Sequence, residues 1–294
     1  MDPRPVLIPS FDGTEIAVRS TGEGPGIPVL LSSAVGATLA LWRTVLAEIG
    51  SHHRIVTWDL RGLHDSPRPE SPRLDPAVHA RDAIAAMDNF QIEEFAVAAW
   101  SNGSRIAFEI GSTYPRRVRA LATVNGGHGY SLERLLRYLE PSSALPLLAG
   151  IAKRFPSAVG MAFRRLAERP ELPGVIRQSG LVGPSADTAA LAEVLRAMSR
   201  CDTQRLLATF EAVAGSGATG LLPSIPAATL LIAGGHDHFT PRRMVDEMHS
   251  LLPNSRVHVY EKATHFLPLE YPRRLADDLL GYLADFAIAA PLGS

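Results

Sequence analysis

The sequence predicts an α/β protein, a mostly parallel sheet with helices on both faces, interrupted by a wholly helical insertion. Three observations predict it. Up to about residue 127, short apolar runs suited to strands covered on both faces alternate with segments of helical period. From 128 to 223 strand candidates vanish, and helical segments take over between breakers such as Pro141, Pro146, Pro170, Pro173, Gly180 and Pro184. After Pro226 the strand–helix alternation resumes. The expected organisation is a core of residues 1–127 and 224–294 with a helical cap at 128–223.

The elements follow in order. Asp12-Gly13 is a hairpin signal, with Ile16 and Val18 continuing at period two. Pro28–Leu31 reads as a covered strand, Leu39–Ile49 as a helix stopping at Gly50, and Arg54–Trp58 as the next strand. Pro76–Phe90 has helical spacing, with Val78, Ile84 and Met87 among its apolar positions. Phe95–Trp100 is a strand, Asn102–Thr113 a helix and Val118–Val124 a strand. Within the insertion, helices are expected over Leu132–Leu139, Ala158–Ala167, Thr188–Met198 and Gln204–Ala214. Ala228–Ala233 (strand), Arg242–Leu252 (helix), Val257–Tyr260 (strand) and Pro272–Phe286 (helix) complete the chain.

Composition narrows the function classes. Hydrophobic residues make up 46% of the 294 residues and charged residues 20%, enough for a large core and too apolar for a disordered chain. A formal net charge of −1 gives no footprint for nucleic acid or anionic lipid. Cys201 is the only cysteine, so no intramolecular disulfide forms and a cysteine-based zinc site is not expected. No apolar run reaches the ~18 residues of a membrane span, and none follows Met1-Asp2-Pro3-Arg4-Pro5 as a secretory signal would. A cytoplasmic, soluble protein acting on a small molecule, without nucleic-acid or membrane partners, is the expectation. No pattern specifies an oligomeric state.

The most informative segment is Phe95-Ala-Val-Ala-Ala-Trp-Ser-Asn-Gly-Ser-Arg-Ile-Ala-Phe108. A strand runs into a helix with Ser101 at the corner, between the small residues Ala99, Gly103 and Ser104. Small neighbours let such a turn lift the hydroxyl into an open crevice. The same turn sets the backbone N–H of Asn102 at a helix start, where it can donate to a developing oxyanion. The pattern is G-x-S-x-G with alanine at 99; read alone, Ser101 is equally a helix-capping serine.

A hydroxyl needs a base within hydrogen-bond reach, and the base needs an orienting group. Asp237 lies just past the strand Ala228–Ala233, and His265 lies in the same relative place after Val257–Tyr260. Carboxyl ends of parallel strands share one edge of an open sheet, so Ser101, Asp237 and His265 are expected to converge. The bland alternatives are an aspartate capping the helix after Pro241 and a loop histidine packed on Phe266. His236 and His238 flank Asp237, but without cysteines or an H-E-x-x-H helix a metal site is not expected.

With these residues the chain resembles the α/β-hydrolases that carry a helical cap, over nearly its whole length. The resemblance implies an eight-stranded sheet and cofactor-free chemistry. Leu31-Ser-Ser-Ala-Val-Gly-Ala-Thr-Leu-Ala-Leu-Trp42 resembles the corresponding loop of 3-oxoadipate enol-lactonases, with Ser32-Ser33 where most relatives have His-Gly. It implies the backbone N–H of Ala34 as second oxyanion donor beside that of Asn102. Asp59-Leu-Arg-Gly62, followed by His64 and Ser66, resembles the superfamily's D-x-R-G-x-G-x-S loop, in which Arg61 is a structural hub; His64 receives no role. Trp100 and Asn102 depart from the usual elbow residues, and the Asn102 amide either meets substrate or fixes the loop.

The expected activity is hydrolysis of an ester, a lactone or a C–C bond beside a carbonyl. Ser101 serves as nucleophile, His265 as base and Asp237 as orienter, and Ser33, Trp100 and Phe266 are candidate substrate contacts. Relatives with this fold also include cofactor-free oxygenases, lyases and ligand-binding receptors, which are the alternatives. Insertion residues such as Leu135, Leu136, Met161, Phe163, Leu195 and Met198 either pack the cap or line an apolar pocket, and a cap arginine could hold a carboxylate.

Overall fold

The computed structural model describes residues 3–70, 73–129 and 145–286. Its sheet contains β1 (Val6–Pro9), β2 (Glu15–Ser32), β3 (His53–Trp58), β4 (Phe95–Trp100), β5 (Val118–Val124), β6 (Ala228–Gly234) and β7 (Ser255–Tyr260). The order is β1-β2-β4-β5-β6-β7, with β3 also paired to β2. β2 doubles back on itself. Its first arm meets β3 in descending register (Val18↔Trp58 to Thr21↔Ile55), and its second in ascending register (Val29↔Ile55 to Leu31↔Thr57). β3 therefore lies between the two arms. The reversal passes through Gly22 at φ +76°, where a Cβ would come within 2.4 Å of the His53 carbonyl oxygen. Among the described residues the sheet has seven strands, and the expected eight are reached by counting the arms of β2 separately.

From the second arm of β2 onward the pairings β2–β4, β4–β5, β5–β6 and β6–β7 are all parallel. Strand β4 shows why its uninterrupted apolar run forms a central strand. Phe95, Val97 and Ala99 enter the core on one face, and Ala96, Ala98 and Trp100 the core on the other. The first core takes Ala83, Ile84 and Met87 of α2 (Pro76–Asn89) and Ile106 and Phe108 of α3 (Gly103–Thr113) into its buried layer. The second takes Val45 and Ile49 of α1 (Arg43–Ile49), which follows the short 3-10 turn Leu39–Trp42, together with Leu275 and Leu279 near the C-terminus. Helix α2 starts where its chemistry says it should. Asp75 accepts a hydrogen bond from the Val78 N–H, and Pro76 opens the first turn.

Between β5 and β6 the described residues are helical: Leu145–Arg154, Pro156–Ala167, Leu172–Gln178, Thr188–Arg200 and Thr203–Ala214. The last two match the sequence expectation closely, as does the second. The helices at Leu145 and Leu172 were hidden by Pro146 and Pro173, which stand in their first turns rather than breaking them. The expected helix Leu132–Leu139 lies outside the described residues. No described helix is long and apolar enough to cross a membrane.

Arg61 is the structural hub expected of it. The guanidinium is fully buried, donates to both carboxylate oxygens of Asp82 (2.7 and 2.6 Å) and to both of Asp12 (2.6 and 3.0 Å), and ties the β1–β2 hairpin to α2. His64 and Cys201 meet where the inserted helices touch the core, with Sγ 3.6 Å from Nδ1.

Candidate active site

Ser101 occupies the corner between β4 and α3 in the left-handed region, at φ +54°, which a serine adopts at a cost of about 1–2 kcal/mol. The turn is held from both sides. The Ser101 N–H donates to the Val124 carbonyl of β5 (3.1 Å), and the Ser32 hydroxyl donates to the Gly103 carbonyl (3.0 Å). The close approach is borne by Gly103, where a Cβ would lie 2.3 Å from the Ser32 oxygen; Ala99 is accommodated fully buried beneath the turn.

The three residues expected to converge do meet. His265 Nε2 lies 2.8 Å from Ser101 Oγ, and His265 Nδ1 lies 2.8 Å from Asp237 Oδ2. The carboxylate assigns the imidazole proton to Nδ1, leaving Nε2 as acceptor for the hydroxyl. Asp237 serves the turn as well. Its Oδ1 accepts from the N–H groups of Phe239 (2.8 Å) and Thr240 (2.9 Å), and the Thr240 hydroxyl donates to Oδ2. It does not cap the following helix, Arg242–Leu251, which begins at Pro241 without a side-chain cap. Burial opposes ionisation of Asp237, but His265 and the Thr240 hydrogen bonds outweigh it and hold the carboxyl below its ordinary range. Alcohol, imidazole and carboxylate thus form a chain along which the alcohol proton can reach the imidazole while the carboxylate stabilises the resulting cation.

The imidazole is fixed in place through its own main chain. The Trp100 indole donates to the His265 carbonyl (3.0 Å), and the Asn125 amide donates to the carbonyls of Thr264 (2.8 Å) and His265 (2.9 Å). Asn125 also accepts from the Gly234 N–H (2.7 Å), joining the ends of β5 and β6. Sequence reasoning missed this asparagine. Its only signal was an amide just past a strand end on the rim where the loops meet.

A cavity of about 420 Å³ opens over the hydroxyl, with a wall almost wholly apolar. Trp100 and Phe266 line it, as do Ala34 and Asn102, whose backbone N–H groups have no protein acceptor among the described residues. Ser33 does not line it; its hydroxyl accepts from the Trp42 indole (3.2 Å). The Asn102 amide fixes the loop: its Oδ1 accepts from the Val35 N–H (2.9 Å), beside Ala34. Leu195 and Met198 reach the cavity from the inserted helices; Met161 is exposed and does not line it, and Leu135 and Leu136 lie outside the described residues. His236 and His238 are exposed.

Comparison with known proteins agrees with this fold. The family model described as alpha/beta hydrolase fold matches residues 27–272. A 2-hydroxymuconate semialdehyde hydrolase of Pseudomonas sp. (strain CF600) is 25% identical over 276 residues, 91% of this chain and 90% of that protein. A pimeloyl-[acyl-carrier protein] methyl ester esterase of Aliivibrio fischeri (strain MJ11) is 26% identical over 247 residues, 83% of this chain and 88% of that one. A RutD protein of Azorhizobium caulinodans is 33% identical over 103 residues, and the match spans only 38% of its length. Among solved structures, the enol-lactonase of Burkholderia xenovorans LB400 superposes with a TM-score of 0.72 at 18% identity, covering 95% of this chain and all (100%) of that one.

Proposed function

Since the chain belongs to the α/β-hydrolase family and is an enzyme of it, we propose that it is a serine hydrolase of small to medium, moderately hydrophobic substrates, cleaving an ester, a lactone or a C–C bond beside a carbonyl. The observation that carries the reading is the unbroken hydrogen-bond chain from Ser101 through His265 to Asp237 at the floor of an apolar cavity. Ser101 Oγ attacks the carbonyl carbon as its proton passes to His265 Nε2. The oxyanion then lies between the N–H groups of Ala34 and Asn102, at the positive end of α3. Collapse expels the leaving group, which takes the proton from His265. A water, deprotonated by the same nitrogen, releases the acyl group as an acid. The inserted helices, in this reading, are the cap that closes the cavity and excludes bulk water.

The experiment that tests it is labelling with a fluorophosphonate, which phosphonylates activated serines. A single adduct on Ser101, competed by short acyl esters that the enzyme turns over, is the expected result. A protein that neither labels nor hydrolyses any ester or lactone is not a serine hydrolase. Turnover that requires dioxygen would identify oxygenase chemistry instead.

The Asn102–Val35 hydrogen bond gives a second expectation. In Asn102→Leu the backbone donor of residue 102 survives, but the Val35 N–H loses its acceptor and the Ala34 loop loses its register. The expected result is a fall in kcat of about 10- to 100-fold with little change in KM, smaller than outright removal of an oxyanion donor. Steady-state kinetics decide it, and a kcat within twofold of wild type removes the loop-fixing role.

A further inference from the structure

Among the described residues, Arg105 is the only lysine, arginine, aspartate or glutamate on the cavity wall. It lies four residues after Ser101 in sequence, as the third residue of α3, in the helix's first turn beside the nucleophile corner. Its guanidinium is buried and held on two edges. Nε donates to the Ser216 carbonyl (2.8 Å), and Nη1 pairs with Glu109 (2.9 Å). Nη2 has no hydrogen-bond partner among the described residues, yet it is not among their sealed, unsatisfied polar atoms. A guanidinium fork fixed at two edges and open at the third is preorganised to receive an oxygen anion.

Stability alone explains the residue poorly. A buried pair spaced i,i+4 gains little over two well-packed apolar side chains, because desolvation consumes most of the attraction. The wall around it carries no other formally charged lysine, arginine, aspartate or glutamate among the described residues, so an anion bound there would be drawn to Arg105 alone. Glu109 takes one edge of the fork and offsets much of its charge, so the open edge would hold a carboxylate by a charge-assisted hydrogen bond, without trapping it.

We propose that Arg105 is the anion subsite of the cavity, and that the preferred substrates carry an ionised carboxylate away from the carbonyl that Ser101 attacks. This rests on the serine-hydrolase reading and names its substrate class. An arginine of the core helix α3 then fills the role that the sequence suggested for one in the cap.

The test compares two 4-nitrophenyl esters of similar length, the half-ester of glutaric acid and the neutral pentanoate. Wild type is expected to favour the half-ester by at least tenfold in kcat/KM. In Arg105→Gln that ratio falls at least tenfold, chiefly through KM, and Arg105→Lys, which keeps the cation but not the fork, retains part of it. A wild-type ratio near one, or a ratio unmoved by Arg105→Gln, overturns the proposal and leaves Arg105 as a clasp between α3 and Ser216. A second measurement needs no turnover and no reactive serine. Calorimetry with Ser101→Ala protein should show adipate binding and its diamide failing to bind. Adipate affinity should drop at least tenfold when Arg105→Gln is added, and equal binding of acid and diamide also overturns the proposal. Loss of all ester hydrolysis with adipate binding intact would count against the hydrolase reading alone.

Discussion

Replacing Ser101 with alanine is expected to lower kcat by about 10⁴- to 10⁶-fold while leaving the protein folded. The magnitude follows from the chain of hydrogen bonds. On the proposed mechanism no acyl-enzyme forms without Oγ, and what remains is stabilisation of charge by the Ala34 and Asn102 N–H groups. The expected stability change is small, within about 1 kcal/mol, for two reasons. Oγ makes its hydrogen bond to His265 alone among the described side chains, and alanine inherits the same left-handed backbone. Kinetics on an ester that labels competitively with the fluorophosphonate, together with thermal unfolding, separate the two effects. Turnover within tenfold of wild type would reject covalent catalysis and move the chemistry to proton abstraction by His265.

The largest expected stability effect lies away from the cavity. Asp82→Ala strips the fully buried Arg61 of its most enclosed partner, leaving Asp12, which is partly exposed, as its remaining carboxylate among the described residues. Breaking such a pair on one side costs about 3–5 kcal/mol, with Asp12 holding the loss toward the lower end. Urea unfolding should show a lower midpoint at unchanged slope. The double variant Arg61→Met with Asp82→Leu should lose less than Asp82→Leu alone, since the only charge then left unpaired is that of Asp12, which reaches solvent. A single-variant cost under ~1 kcal/mol would mean that Arg61 reaches water.

The same network sets the acid limb of stability. Hydrogen bonding from Arg61 lowers Asp12 from 3.8 to about 2, and Asp82, despite burial, is held below its ordinary range by Arg61, His79 and Ser10. Folded-state values below the unfolded ones contribute stability that is complete above the unfolded value, near 3.8. It is lost as pH falls through the folded values toward 2. The steep part of the loss should therefore fall between about pH 4 and 2, and flatten in Asp82→Ala.

Much of this was legible in the sequence because it was written in local patterns. Uninterrupted apolar runs marked the central strands, and the strand-end positions of Asp237 and His265 foretold their meeting with Ser101. What stayed hidden depends on contacts between distant segments. Nothing local distinguishes the doubling back of β2, since its turn chemistry at Gly22–Gly26 reads equally as a hairpin between two strands. Asn125 and Arg105 were passed over for the same reason. An amide after a strand and an arginine inside an amphipathic helix are commonplace until the fold shows what they face. Ser33 was misassigned to the pocket side because sequence gives a loop residue's place but not its direction.

The moorings of His265 have a consequence for how such an enzyme diversifies. Among the described residues, every hydrogen bond to its own atoms comes from β4, the elbow, Asn125 or the loop after β6, and none from the helices over the cavity. The bonds that fix the imidazole are thus independent of the helices over the cavity. The roof can be recut for a different guest, by selection or by design, without retuning the machinery underneath.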